Sequence, residues 1–163
     1  MSDITPINGS ESRITPRLVQ TLYTEAMILA DEARAYFDTQ GRTERETLDP
    51  FVRVGFACES LKVTTRLMHI IAWLLTQRAV ETGELSPVTG SRPERRLGHA
   101  GDSDPAVVEQ LPPAAQALVA SSNELYQRVK RLDEDALNDT PAASPARALM
   151  GRLERDFIWN APR

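Results

Sequence analysis

Residues 49–83, DPFVRVGFACESLKVTTRLMHIIAWLLTQRAVETG, constrain this chain more than any other stretch. Asp49 and Pro50 make the cap-plus-proline signal of a helix start, and Gly83 stands where a left-handed cap residue ends one. No proline follows Pro50 in the interval, and its internal glycine is Gly55. The result is a helix of about 33 residues, roughly 50 Å long at 1.5 Å per residue.

Two apolar stripes run along it. Val54, Cys58, Leu61, Thr65, Met68, Ala72, Leu75 and Ala79 alternate spacings of four and three, and read as the seam facing the rest of a bundle. Val63, Leu67, Ile70 and Leu74 keep the same spacing about 160° away. Two neighbouring helices cover one such seam but not both. Val63, Leu67, Ile70 and Leu74 are therefore the predicted homodimer interface, buried against a second copy related by two-fold symmetry. The rival cover is the chain's own end, around residues 145–157. Between the stripes lies a polar strip of Glu59, Lys62, Arg66, His69 and Gln77, with Trp73 among them.

The other helices follow from similar signals. Thr15-Pro16 opens a stripe of Leu18, Leu22, Ala26, Leu29 and Ala33 that predicts a helix over 16–39. The connector 40–48 is short and charged. Leu111, Ala115, Leu118, Ser122, Leu125, Val129 and Leu132 form a third seam, giving a helix over 105–137 with a disturbance at Pro112-Pro113. No strand pattern or repeat occurs. The expected fold is all-α: an antiparallel three-helix bundle over 14–138, a polar N-terminus at 1–13 without fixed structure, and a flexible or weakly helical tail at 139–163.

A chain of 163 residues with net charge −4 forms one domain and is not a general binder of nucleic acid or membrane surfaces. No apolar run approaches the roughly 18 residues of a membrane span. The N-terminus lacks a secretory signal, and one cysteine fits a reducing compartment. These features predict a cytoplasmic protein.

Catalytic patterns are missing. There is no phosphate loop, no dinucleotide fingerprint, no nucleophile elbow and no Glu-x-x-His pair of a di-iron bundle. Two histidines and one cysteine supply too few ligands for zinc. The chain is expected to be no enzyme and to hold no cofactor or metal. Cys58 reads as a small core residue, His69 as a surface or interface histidine, and Trp73 as a packing anchor. Arg66 is expected to pair with acids of the first helix, such as Asp31 or Glu32. Asp133, Glu134, Asp135 and Asp139 read as a solvated helix end, or else as an acidic docking patch.

Two segments exceed what a bundle needs. The connection over 86–104 is punctuated by proline and glycine and carries Arg92, Arg95 and Arg96, predicted to meet a partner. The tail opens a short helix at Ser144-Pro145 and mixes arginines with Leu149, Leu153, Phe157 and Trp159. Leu153, Phe157 and Trp159 are its predicted partner-binding residues.

At residues 59–85, ESLKVTTRLMHIIAWLLTQRAVETGEL, the chain resembles the RcdA family, regulators of CtrA degradation in alphaproteobacteria. TTRLM, followed by AWLL-x-QRAV-x-x-GE, carries the likeness over about a sixth of the chain. The resemblance implies a dimeric three-helix bundle with a flexible tail. It also implies a non-enzymatic adaptor that helps deliver cell-cycle substrates to the ClpXP protease, alongside a response regulator that primes the protease. The alternatives are a structural dimeric bundle without a regulated role and, more distantly, a small-molecule-binding bundle.

Overall fold

The computed structural model of the chain describes residues 13–139. The expectations for residues 1–12 and for the tail, including Leu153, Phe157 and Trp159, lie outside these residues. The described residues contain helices and no strand, as the sequence predicts. Three helices are long: α1 (Pro16–Asp38), α3 (Pro50–Glu81) and α6 (Pro113–Asp139). Short helical turns α2 (Gln40–Glu46), α4 (Pro87–Gly90) and α5 (Pro105–Val108), with a 3-10 turn at Pro93–Arg95, fill the connections.

The helix ends follow the local signals. Thr15 Oγ1 accepts from the Leu18 amide and Pro16 takes the first helical position. At the other end of α3, Gly83 adopts φ +79°, and the last carbonyls accept from Thr82, Gly83 and Leu85. The third long helix starts at Pro113 rather than at residue 105. Pro112 and Pro113 offer no amide hydrogens, so the turn α5 cannot propagate into α6.

Helix directions depart from the expected antiparallel arrangement. Tyr23 meets Arg78, and Tyr36 and Phe37 meet Phe56, so α1 and α3 run antiparallel. Arg66 meets Ser122 and Trp73 meets Asp133, so α3 and α6 run parallel. Two parallel helices joined in sequence need a connection that returns the length of the pair. Residues 82–112 are that crossover. Arg96 lies at Asp133, Gly98 at Tyr126, Gly101 at Arg66, Ser103 at Glu59 and Val107 at Gly55, a steady march back up α3. The segment is long because it travels, not because it is loose.

The crossover also reverses the expected faces of α3. Val63, Leu67, Ile70 and Leu74 are 0–4% exposed and belong to the chain's own core with Val19, Leu22, Ala26, Leu118, Leu125 and Val129. They are not free to form a homodimer interface. The seam of Val54, Cys58, Leu61, Met68 and Leu75 is on the outside instead. Both stripes are apolar, so periodicity could not rank them. The deciding factor is the polar strip beside the buried stripe. Glu59 and Arg66 complete their hydrogen bonding with Gly101 and Ser103 when the crossover lies over them, and burying that flank carries the adjoining stripe inward.

Candidate functional site

The crossover is fastened along α3 and α6 by polar groups, from top to bottom. Arg96 closes on Asp133 with Nε and Nη2, the shortest contact being 2.7 Å, and Trp73 Nε1 donates to the same carboxylate at 2.8 Å. Hydrogen bonding to Asp133 holds the Arg96 guanidinium above its ordinary value, against a smaller loss from burial. Tyr126 Oη donates to the Gly98 carbonyl at 2.8 Å and accepts from the Ala100 amide at 3.2 Å. Next to it, the His69 ring stands against the crossover at Gly98, where an added methyl would collide with Nδ1, Cε1 and Cγ of the ring.

Lower down, Arg66 is 1% exposed. It donates to the Gly101 carbonyl at 2.9 Å, Ser103 Oγ at 2.8 Å and Ser122 Oγ at 3.3 Å. The Ser103 hydroxyl donates a hydrogen bond to Glu59, whose other oxygen accepts from Lys62 at 2.9 Å. Burial lowers the Arg66 guanidinium from its usual value, and the Glu59 carboxylate opposes that shift. The network is satisfied throughout: among the described residues no buried side-chain nitrogen or oxygen lacks a partner.

Several expected roles change accordingly. Arg66 bonds to the crossover and Ser122 and reaches Glu59 through Ser103, rather than pairing with Asp31 or Glu32. Arg96 serves the interior and is not available as a partner-binding residue, whereas Arg92 and Arg95 are exposed. Asp133 is buried rather than part of a solvated end. Cys58 lies outside the core. Trp73 is the buried anchor the sequence indicates, with its indole nitrogen engaged. The sequence signal for the network was the spacing of Glu59, Arg66 and Trp73 along one flank. Their partners Gly101 and Ser103 carry no pattern of their own.

What remains accessible is the outer seam of α3. Val54, Leu61, Met68 and Leu75 are 64, 67, 66 and 46% exposed and follow one another at intervals of seven. Cys58, Thr65, Ala72 and Ala79 sit four residues after each. That is a 3.5-residue repeat with large residues at one position and small ones at the other, the geometry by which one helix receives a second. Phe51, at the head of α3, is also exposed. Among the described residues no three His, Cys, Asp or Glu side chains gather as metal ligands, and no helix is long and apolar enough to cross a membrane.

Such a chain is an all-α protein whose most conspicuous surface is an unpaired helix face. Residues 10–157 match the model of the family DUF1465, described as proteins of unknown function. The chain is also similar to the crystal structure of RcdA from Caulobacter crescentus CB15. The two are 32% identical, the match covers 77% of this chain and 95% of that one, and the TM-score is 0.63. The chain belongs to the RcdA family. Among proteins with curated descriptions, none matches it.

Proposed function

We propose that this chain is a non-enzymatic, cytoplasmic adaptor: a homodimeric helical platform that helps deliver cell-cycle regulatory proteins to the ClpXP protease. The observation that carries the reading is the outer seam of α3 in a chain 32% identical to RcdA. Four large apolar side chains in a coiled-coil register, left in water over about 32 Å of helix, are a surface that needs a partner. A second copy is the natural occupant, because an α3 packed on its two-fold mate buries the whole seam on both subunits. The tail helix suggested by residues 145–157 would be about 20 Å long and would leave much of the seam uncovered.

With the seam used for self-association, Arg92 and Arg95 on the crossover are left for an acidic partner. Leu153, Phe157 and Trp159 in the tail supply apolar contacts for substrates or for the response regulator that primes the protease. A dimer presents each set twice, which raises effective concentration without new contacts.

The test is reconstituted proteolysis. ClpXP, the priming response regulator and a cell-cycle substrate are combined with and without this chain, and substrate loss is followed over time. The adaptor reading expects faster degradation that Arg92→Glu with Arg95→Glu, or removal of residues 141–163, reduces severalfold. Unchanged degradation on adding the intact chain would reject the adaptor role and leave a structural dimer.

A further inference from the structure

The outer seam of α3 alternates in size as well as in spacing. Val54, Leu61, Met68 and Leu75 hold one heptad position, and the other belongs to small residues such as Thr65, Ala72 and Ala79. Size decides how two such helices can face each other. In a parallel pair each residue meets its own copy, so layers of two large side chains alternate with layers of two small ones. One distance between the helix axes cannot fill both, and the small layers are left with voids. In an antiparallel pair the first heptad position of one helix lies level with the second position of the other. Leu61 then meets the partner's Ala72, Thr65 the partner's Met68 and Val54 the partner's Ala79. Every layer holds one large and one small side chain, and the whole seam is used on both helices.

The ends of the helix fit the same register. The two-fold axis passes level with Arg66 and Leu67, so the head of one α3 lies beside the end of the other. Phe51, 93% exposed, comes level with the partner's Thr82. The turn α4 stands at that end, with Gly90 against Val80 and Val88 76% exposed. In a parallel pair these two exposed apolar residues stay at opposite ends of the assembly, about 45 Å apart along the helices.

The crossover lies along one flank of α3, with Gly101 at Arg66, Gly98 at His69 and Gly90 at Val80. That flank is turned about 60–120° from the seam. The axis of an antiparallel pair runs across both helices and keeps each flank on its own side. We propose that two copies pack α3 against α3 in antiparallel order, which brings both crossovers to one face of the dimer. Arg92 and Arg95, exposed on each crossover, then recur about 30 Å apart along the helices on that face. An acidic partner reaches both sets from one side, whereas a parallel pair would turn them to opposite faces. The arrangement rests on the homodimer reading and adds to it a direction, a register and a shared face.

Distances between nitroxide labels, measured by pulsed electron resonance, test it. Cys58→Ala removes the native thiol, and Asp49→Cys or Glu84→Cys carries the label in turn. Both sites are exposed and stand at opposite ends of α3. The antiparallel register predicts about 50 Å between the two labels at either site, alike to within about 10 Å. A slip of one heptad makes the two sites differ by about 20 Å, and parallel packing brings both below about 35 Å. Either result overturns the proposal and leaves the homodimer standing. Oxidation of the unmodified chain with copper phenanthroline gives an independent reading. In the antiparallel dimer the two Cys58 residues lie about 25 Å apart along the helices, and no disulfide-linked dimer should form. In a parallel dimer they face each other, so a disulfide-linked dimer overturns the proposal. A wild type that is monomeric by light scattering at tens of micromolar removes the homodimer reading, and this arrangement with it.

Discussion

Trp73 and Asp133, sixty positions apart, share a hydrogen bond of 2.8 Å from the indole Nε1 to the carboxylate, and Arg96 closes on the same carboxylate at 2.7 Å. One aspartate thereby joins α3, α6 and the crossover. Asp133→Ala leaves the indole nitrogen buried without an acceptor and Arg96 without its counter-charge. The expected loss is about 2–4 kcal/mol of stability in urea unfolding. Exchange at residues 96–100 should rise in step with it.

The crossover approaches α3 too closely at Gly98 for any side chain. Gly98→Ala sets a methyl against the His69 ring and should cost about 1–3 kcal/mol. His69→Ala in the same chain should return most of that loss, so the two substitutions couple strongly in a double-mutant cycle. Additive costs would mean that the ring moves aside freely.

Tyr36 Oη donates to Glu44 Oε2 at 2.6 Å across the α1–α2 corner. Burial, reinforced by the Glu44 carboxylate, raises the Tyr36 phenol above its ordinary value of about 10. Stability from the neutral phenol is full below that ordinary value and is lost as pH rises through the higher folded one. Glu44 is lowered, chiefly by the same hydrogen bond. Its contribution is full above the ordinary carboxylate value of about 4.3 and fades as pH falls through the folded value. Thermal melts from pH 3 to 11 should show Tyr36→Phe flattening the alkaline limb clearly and the acid limb slightly, since Glu44 is only half-buried and keeps its bond from Gln40.

Much of the fold was legible because it rests on local signals. Thr15-Pro16, Asp49-Pro50 and the Gly83 cap set helix ends to within a residue or two. The seams of α1 and α6 pointed inward as their single apolar faces required. The inner face of α3 was not legible, because Val63–Leu74 and Val54–Leu75 are equally good stripes. The choice between them depends on Gly101 and Ser103, distant residues that satisfy Arg66 and Glu59. The parallel course of α6 was hidden for a related reason. Length and prolines in 84–105 suit a free loop as well as a crossover, and only its contacts with Asp133, Tyr126 and Arg66 distinguish the two.

The two stripes of α3 make opposite predictions for substitution by aspartate. Leu67→Asp with Ile70→Asp places charge in the chain's own core and should unfold the protein, costing about 4 kcal/mol or more. It should not yield a folded monomer. Circular dichroism separates the cases.

The central claim is that the seam of Val54, Leu61, Met68 and Leu75 is the surface through which the chain associates. Light scattering of Leu61→Asp with Met68→Asp, beside the wild type at tens of micromolar, tests it most directly. The account predicts a wild-type dimer and a folded, fully helical monomer for the variant. A wild type that is already monomeric, or a variant that remains dimeric, contradicts it.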